Sequence, residues 1–412
     1  MLGTLIPLFD NNMEVKAYSI FAQKNNTFLN PNMLGTAWLD GVGNVLGLDI
    51  VESMGVSTLA NDKLVFIEIN NVSIFTDLNS QYSGAHDKLV LLVDPAVAPT
   101  DMYVNRLKEL REDGYHLAIR KLAVKQFEEY RPILALMDYI LLDHRKIDIS
   151  KAKIYFSKVY PNAQLVAVNV NSQEDYDMLT SDGAYKLYEG GFFRIPAVKE
   201  GNEVSPMKVT YVELLNLVND PDFDLDKAAD IIGHDTALVI SLLGMVNRMT
   251  VNSGISTVRH AAAMLGQKEL KRWINTAVTR ELCSDKPSEI TRLSLIRARF
   301  AENLATEFDM AQASSELFLM GLFSVLDVML DKTMTDALEM VKVTKDISAV
   351  LLNDSGKFAP VYDLMIAYEN ANWQEVSRQL ILVGIDDSKV YDAYTDSLRW
   401  FRDLFYGEEE SK

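Results

Sequence analysis

The sequence predicts an α/β barrel followed by an all-α domain, and two patterns of apolar residues support this division. In the first 204 residues, short apolar runs such as Leu64–Ile69 and Leu89–Val93 alternate with amphipathic segments. Repeated strand–helix units with nearly continuous apolar strands are typical of a parallel sheet, and eight candidate strands favour closure into a barrel. Beyond this point the strand pattern stops and helices follow one another. We therefore predict domains over residues 1–204 and 205–412.

The boundaries of the predicted elements follow from local signals. The candidate strands are Val15–Phe21, Leu64–Ile69, Leu89–Val93, Leu117–Ile119, Tyr139–Leu142, Ile154–Val159, Leu165–Val170 and Gly191–Phe193. The connector is placed at Lys199–Pro206, because this segment lacks apolar periodicity and contains Gly, Asn, Ser and Pro. In the helical part, Ser256 is a good helix start and Gly266 can end that helix, with a second helix from Gln267.

The composition is that of an ordinary soluble globular protein, with 48% hydrophobic and 24% charged residues. The net charge of −18 repels polyanions, so we expect no nucleic-acid partner. No apolar run near the middle of the chain approaches the roughly 20 residues that cross a bilayer, and the N-terminus lacks a basic segment. Cys283 is the only cysteine and cannot form an internal disulfide. We therefore expect a cytoplasmic protein without membrane insertion.

Four segments of the helical part carry a family resemblance. Gly254–Trp273 (GISTVRHAAAMLGQKELKRW) and Lys286–Ala305 (KPSEITRLSLIRARFAENLA) closely resemble the core of the HDOD domain. Gly321–Asp327 (GLFSVLD) and Tyr368–Trp373 (YENANW) also fit this family. The HDOD domain is a helical relative of the HD phosphohydrolases that has lost their metal ligands and works in bacterial signalling. The resemblance implies an HDOD helical domain in the second part of the chain.

The barrel part is similar to another signalling family. Ile6–Ala22 (IPLFDNNMEVKAYSIFA) and Leu187–Ala197 (LYEGGFFRIPA) resemble the first and last strands of an EAL-type cyclic di-GMP phosphodiesterase. Together with the HDOD segments, this similarity implies a bacterial EAL–HDOD signalling protein. The implied architecture is an N-terminal degenerate EAL-type (β/α) barrel followed by an HDOD helical domain.

The EAL resemblance also identifies the positions where metal ligands would lie. An active EAL enzyme binds two divalent metals through carboxylates and an amide at the C-terminal ends of its strands. In this sequence the resemblance places Ser19, Glu68 and Leu91 at three ligand positions, and Arg120 and Lys121 at an adjacent pair of aspartates. At about 4 Å and an effective dielectric near 20, each contact between a cationic side chain and a metal costs several kcal/mol. The resemblance therefore implies no two-metal site and no catalytic residues.

The remaining EAL positions depart from the family in the same direction. The catalytic lysine position is Leu141, with only Asp143 retained, a glutamate position is Val168, and a glutamine position is Glu189. We expect ion pairs across the barrel mouth in a vacated site. The alternative is a repurposed ligand pocket. The residues of this vestigial mouth are Ser19, Glu68, Asp94, Arg120, Lys121, Asp143 and Glu189.

The helical part contains the literal His-Asp pair of the HD hydrolases at His234 and Asp235. Two ligands rarely hold a divalent ion, and His260 is the only other histidine in this part of the sequence. Asp235 precedes a predicted helix at Thr236, where aspartate is a standard N-cap residue. We therefore predict a capping role for Asp235, and we expect neither a metal nor another cofactor.

The predicted function is that of a non-enzymatic signalling protein that presents surfaces to other signalling proteins, with two domains able to rotate about their connector. The family resemblance implies a role near cyclic di-GMP-linked control of motility, biofilm or pili, although cyclic di-GMP binding itself is not expected. A homodimer is expected, because EAL barrels commonly pair. The alternative is a sensor that binds cyclic di-GMP or another nucleotide on Arg120 and Lys121 without cleaving it.

Overall fold

The computed structural model of the protein describes residues 1–23, 44–198, 204–220, 222–249 and 254–406. The chain divides into two compact units. Unit 1 contains Met1–Ile195, Thr306–Met310 and Asp363–Lys412, and unit 2 contains Pro196–Ala305 and Ala311–Tyr362. Most of the predicted connector, residues 199–203, lies outside the described residues.

Unit 1 is built around a closed barrel of eight strands that follow one another in chain order. The strands are β1 Leu2–Phe9, β2 Val15–Gln23, β3 Leu64–Ile69, β4 Leu89–Val93, β5 His116–Ile119, β6 Tyr139–Asp143, β7 Gln164–Val168 and β8 Tyr185–Glu189. From β2 to β8 each pair of neighbours is parallel, whereas β1 is antiparallel to both β2 and β8. The predicted barrel is confirmed, and its wholly parallel arrangement is wrong at β1.

Two of the candidate strands are wrong. Ile154–Val159 is part of a helix, Ile149–Val159, which begins after Asp148, where the carboxylate accepts the Lys151 N–H at 3.1 Å. Gly191–Phe193 follows the last strand and enters a short 3₁₀ turn, Phe192–Arg194. The prediction also lacks two real strands, β1 and β8. The two errors offset each other, so the predicted and observed numbers of strands are both eight.

Short helices connect the barrel strands, and the chain then continues into unit 2. The helices before residue 195 are α1 Leu46–Met54, α2 Val56–Ala60, α3 Leu78–Gln81, α4 Asp101–Glu112, α5 Arg131–Leu134, α6 Ile149–Val159 and α7 Gln173–Asp182. Those that follow are α8 Pro206–Val218, α9 Leu225–Gly233, α10 Thr236–Met249, α11 Val258–Leu282, α12 Ser288–Leu304, α13 Ser314–Phe323, α14 Leu326–Leu330, α15 Met334–Met340, α16 Lys345–Asn353, α17 Ala359–Glu369, α18 Trp373–Val383 and α19 Asp387–Tyr406.

The C-terminal helices complete the barrel unit. The Tyr368 hydroxyl accepts the Gly3 N–H at 3.2 Å and donates to the Gly3 carbonyl at 3.0 Å. The Thr4 hydroxyl donates to the Tyr394 oxygen at 3.2 Å. β8 pairs only with Leu8 and Phe9 of β1, so Gly3 has no strand partner on that edge of β1. The Tyr368 hydroxyl forms hydrogen bonds with Gly3 in place of a strand. This packing differs from the predicted division, which assigned all of residues 205–412 to the helical domain.

Unit 2 is helical, as the sequence predicts. Gly266 has φ 72° and interrupts α11, which confirms the predicted break, although Thr257 rather than Ser256 caps its first half. In the GLFSVLD segment, a Cβ on Gly321 would lie 2.4 Å from the Arg297 carbonyl oxygen, so α13 packs directly on the backbone of α12. Among the described residues, no single helix has both the length and the apolar composition of a membrane span; the bent pair Leu225–Gly233 and Thr236–Asn247 meets both criteria jointly.

Candidate functional site

The barrel interior changes from apolar to polar at the C-terminal ends of its strands. The apolar interior includes Ala17, Phe66, Ala118 and Leu187. Side chains two residues apart on a strand point to the same face, so the next interior positions are polar. These positions are Ser19, Glu68, Arg120 and Glu189. The C-terminal end of a parallel barrel is where such folds place their functional sites.

Arg120 lies at the centre of this polar layer. Its Nη2 atom is 3.4 Å from Glu189 Oε1, and its Nη1 atom is 3.9 Å from Glu68 Oε1. The Nζ atom of Lys121 reaches the same Glu68 oxygen at 3.5 Å. The Arg120 guanidinium also lies 4.8 Å from the centre of the Phe21 ring, which favours a cation–π contact. Two cations are therefore matched by two carboxylates at the mouth.

Glu189 is the most deeply placed carboxylate of this group. Its Oε2 atom accepts a hydrogen bond from the Ser19 hydroxyl at 3.4 Å. Burial raises the pKa of Glu189 above its usual value; Arg120 and the Ser19 hydrogen bond act in the opposite direction, and Glu68 adds to the rise. A carboxylate in this setting depends on its cationic neighbour to remain ionised.

Lys121 has a backbone conformation that is unusual for a lysine. Its φ is 62°, in the left-handed region, where a residue other than glycine is strained by about 1–2 kcal/mol. Consecutive strand residues normally point to opposite faces. The left-handed turn ends that alternation, and both Arg120 and Lys121 reach Glu68.

Two predicted mouth residues have other partners. The Asp94 carboxylate accepts the Ala96 N–H at 2.8 Å in the turn after β4. Asp143 lies 3.2 Å from Arg145 and 3.3 Å from Lys146, and accepts the Asn169 side-chain amide at 3.1 Å. Its partial burial alone would raise the pKa of Asp143, but hydrogen bonds from Arg145 and Lys146 hold this pKa below 3.8. The predicted ion pairs therefore join Glu68, Arg120, Lys121 and Glu189, and Asp94 lies outside them.

Three of the positions that the resemblance assigned to lost EAL residues are apolar, namely Leu91, Leu141 and Val168. Leu141 and Val168 face the barrel interior and are buried. On β4 the interior residues are Val90 and Leu92, so Leu91 points outward and the assigned position is off by one residue. Both interior neighbours of Leu91 on β4, Val90 and Leu92, are also apolar. Among the described residues, no group of three or more His, Cys, Asp or Glu side chains is arranged to hold a metal ion.

Sequence reasoning missed one polar contributor near the mouth, Asn169. Asn169 has φ 62° and donates its amide to Asp143. Its available signal was an asparagine directly after a buried strand, since asparagine tolerates the left-handed region. His144 is buried, with Nδ1 3.1 Å from the Val168 carbonyl and Nε2 3.6 Å from Asp175. The sequence does not indicate this carboxylate partner, because Asp175 lies on α7, far from His144 along the chain.

The predicted role of the His-Asp pair is confirmed for its aspartate. Asp235 Oδ1 accepts the Leu238 N–H at 3.0 Å, which caps the first turn of α10. Its second oxygen accepts the Tyr211 hydroxyl at 2.9 Å. Both carboxylate oxygens thus have structural partners on α8 and α10.

Comparison with known proteins supports this two-part organisation. The HDOD domain model matches residues 204–354. Residues 204–354 thus match an HDOD domain, and the eight-stranded barrel of unit 1 precedes them in the chain, which is the order that the EAL–HDOD resemblance predicts.

Two relatives extend over most of the chain. A Vibrio cholerae protein named cyclic di-GMP phosphodiesterase CdgJ is 27% identical over 324 residues, which cover 77% of this chain and 74% of the relative. The uncharacterized Bacillus subtilis protein YuxH is 25% identical over 412 residues and 97% of both chains. The solved EAL domain of Mycobacterium smegmatis DcpA is 16% identical, with a TM-score of 0.35 over 46% of this chain and 89% of that domain.

Proposed function

We propose that this chain is a non-enzymatic cytoplasmic signalling protein that acts by binding other signalling proteins, in or near cyclic di-GMP-linked control of motility, biofilm or pili. The observation that carries the proposal is the ion pair between Arg120 and Glu189 inside the barrel mouth, at 3.4 Å. The name of the Vibrio cholerae relative supports the link to cyclic di-GMP. The proposal departs from that relative in one respect, because it assigns no phosphodiesterase activity to this chain.

The charges at the mouth argue against metal-assisted hydrolysis. Two-metal phosphodiester cleavage requires two divalent cations held by oxygen ligands next to the substrate. At about 4 Å and an effective dielectric near 20, a divalent ion beside Arg120 would be repelled by about 8 kcal/mol. Glu68 and Glu189, which could offset this repulsion, already neutralise Arg120 and Lys121. The mouth therefore favours a closed ion-pair network over a metal centre.

A second candidate function is a non-hydrolysing nucleotide sensor. It is favoured by the Nε and Nη1 atoms of Arg120, which are buried and have no hydrogen-bond acceptor within the described part of the chain. A phosphate could accept hydrogen bonds from both atoms. Against this candidate, a phosphate at that position would also face the Glu68 and Glu189 carboxylates. A thermal shift with cyclic di-GMP, with and without Mg²⁺, distinguishes the candidates, because only the sensor predicts stabilisation.

The experiment that tests the proposed function is a turnover assay of the full chain. Purified protein is incubated with cyclic di-GMP and either Mg²⁺ or Mn²⁺, and the linear product is measured. We expect no product above the level of the buffer. The Glu68→Gln and Glu189→Gln variants serve as matched controls, because they remove the mouth carboxylates that a metal would need. Turnover by the wild type that disappears in either variant would overturn the proposal.

A further inference from the structure

The seam between β1 and β8 is short, and its mouth end is covered by a segment from the C-terminal part of the chain. β8 pairs with only two residues of β1, and Glu189 lies at the last paired position. Because β1 is antiparallel to β2, its first residues lie at the mouth, where Leu2 is opposite Gln23. These first residues have no strand partner on the β8 side within the described part of the chain. Residues 363–406, which we name the C-terminal strap, lie there instead.

The C-terminal strap is attached to both strands of this seam. The Tyr368 hydroxyl forms hydrogen bonds with the backbone N–H and carbonyl of Gly3 on β1. The next residue, Glu369, pairs with Arg194, which follows β8. Both attachments lie at the C-terminal end of α17. The strap therefore bridges β1 and the end of β8 at the mouth.

A further buried hydrogen bond joins the strap to the interior face of β1. The Thr4 hydroxyl donates to the Tyr394 oxygen at 3.2 Å, and these residues are 2% and 6% exposed. Thr4 is opposite Phe21 of β2, which lies two residues beyond Ser19. Side chains two residues apart on a strand share a face, so Thr4 and Phe21 lie on the same interior face as Ser19. The strap thus contacts the inner wall of the mouth.

Phe21 connects this wall to the ion pairs. Its ring centre lies 4.8 Å from the Arg120 guanidinium, whose Nη2 atom is 3.4 Å from Glu189. The Ser19 hydroxyl donates to the other oxygen of Glu189 at 3.4 Å. A continuous row of contacts therefore runs from Tyr394 on the strap to Glu189 at the mouth. Coupling between sites is carried by packed side chains and hydrogen bonds of this kind.

We propose that the C-terminal strap and the ion pairs of the barrel mouth form one conformational switch, in which release of the strap from β1 loosens the Arg120–Glu189 pair and opens the mouth. When Tyr394 leaves Thr4, the wall formed by β1 and Phe21 loses its support, and water reaches the buried charges. Charged groups with access to water depend less on their partner. The attached strap therefore favours the closed ion-pair network.

The chain connects this switch to unit 2. α17 begins at Ala359, which belongs to unit 2, and ends at Glu369, which belongs to unit 1. A change in unit 2 that draws on this helix acts on the strap through the covalent chain. The inference does not depend on the proposed absence of phosphodiesterase activity, because the switch governs access to the mouth with or without turnover.

A double-mutant cycle in the full chain tests the coupling. Tyr394→Phe removes the acceptor of the Thr4 hydroxyl, and Arg120→Met removes the ion pair at the mouth. Urea denaturation gives the unfolding equilibrium constant of each member of the cycle. The factor by which Tyr394→Phe raises this constant should be at least about threefold smaller in the Arg120→Met background, because the mouth is already loosened there.

Tyr176→Phe is the matched control, because it removes a buried hydroxyl at the other end of β1. The Tyr176 hydroxyl donates to the carbonyl of Asp10, which directly follows β1, at 3.0 Å. We expect the effect of this substitution to be the same with and without Arg120. Additive effects for Tyr394→Phe and Arg120→Met would overturn the proposal. Equal coupling of Arg120 to both tyrosines would also overturn it, because the coupling would then reflect a general loss of stability.

Amide hydrogen exchange of the Tyr394→Phe variant is a second test, and it does not require Arg120→Met to fold. We expect exchange at least about threefold faster at Phe21–Gln23 and at Arg120–Leu122, because these segments form the loosened side of the mouth. Exchange in α4, which lies outside the row of contacts, should not change. Faster exchange confined to the first residues of β1 would overturn the proposal, as would an equal increase throughout unit 1.

Discussion

The Arg120 guanidinium lies 3.4 Å from the Glu189 carboxylate at the mouth of the barrel, and only 11% and 10% of the two side chains are exposed. Charges removed from water to this extent are costly unless they are paired. Glu189 therefore needs Arg120 for its ionised form, and Arg120 needs Glu189. This mutual dependence makes the pair a structural feature with consequences for stability, for pH dependence and for metal binding.

Replacing Arg120 by methionine should destabilise the barrel. The variant keeps the apolar length of the side chain but leaves the Glu189 carboxylate buried without its nearest cation. Loss of one partner from a buried pair costs about 3–5 kcal/mol. Urea denaturation of the full chain measures the change in the free energy of unfolding. The double variant Arg120→Met with Glu189→Met should recover most of the loss; a single variant as stable as the wild type would show that the pair contributes little.

The raised pKa of Glu189 predicts a pH dependence with a definite sign. Burial raises this pKa above 4.5, so the folded state binds the proton more tightly than the unfolded chain. The resulting stabilisation is complete below pH 4.5 and is lost as pH rises through the folded pKa. The stability of the wild type relative to Glu189→Gln should therefore fall across that window.

Asp143 supplies the control for this measurement, because its pKa is shifted in the opposite direction, below 3.8. Partial burial raises this pKa, but the hydrogen bonds from Arg145 and Lys146 outweigh that effect. Its stabilisation is present above pH 3.8 and is lost as pH falls through the folded value. The stability of the wild type relative to Asp143→Asn should therefore fall on acidification. If the two stability differences changed in the same direction with pH, the result would contradict the account.

Removing one hydroxyl should weaken the attachment of the C-terminal helices. Tyr368→Phe leaves the Gly3 N–H and carbonyl groups of β1 without their side-chain partner. Unsatisfied buried backbone groups cost about 1–3 kcal/mol. We expect a lower free energy of unfolding for unit 1 and faster amide exchange at the start of β1. Tyr406→Phe, at an exposed tyrosine of α19, is the control and should have no measurable effect.

Asp235 should matter for stability and not for metal content. Asp235→Ala removes the cap of α10 and the acceptor of the Tyr211 hydroxyl. Loss of a helix cap costs about 1 kcal/mol, and the second lost hydrogen bond adds to this. Asp235→Asn keeps an acceptor at the cap and should recover part of the stability. Metal analysis of the wild type and both variants should give the same metal content. Metal that is bound by the wild type and absent from the Asp235 variants would show that the His234–Asp235 pair is a metal ligand.

The sequence predicts the barrel, the helical unit and the basic pair at the mouth, but the partners of several segments depend on distant residues. β1 contains Gly3 and Pro7, which weaken a strand prediction, and its antiparallel direction is visible only in its pairing with β2 and β8. Ile154–Val159 is apolar and short, so its periodicity fits a strand as well as a helix. The helical nature of α17 and α19 was predicted correctly.

The assignment of the C-terminal helices to the barrel could not be predicted in the same way. It depends on contacts such as that between Gly3 and Tyr368, which are 365 residues apart in the chain. No local pattern encodes such a contact. The same reason explains Asp94: it follows a strand as a ligand would, but its carboxylate folds back onto the Ala96 N–H. Charge and periodicity identify which residues stand at the mouth, and only the fold shows which of them pair.

A calorimetric titration of the full chain with Mn²⁺ tests the central claim most directly, because Mn²⁺ binds the carboxylate sites that hydrolytic metal centres use. If the Arg120–Glu189 pair closes the barrel mouth, the wild type should show no binding that depends on Glu68 or Glu189. The Glu68→Gln and Glu189→Gln variants should then give the same titration as the wild type. Binding of two Mn²⁺ ions per chain that is lost in either variant would contradict the account.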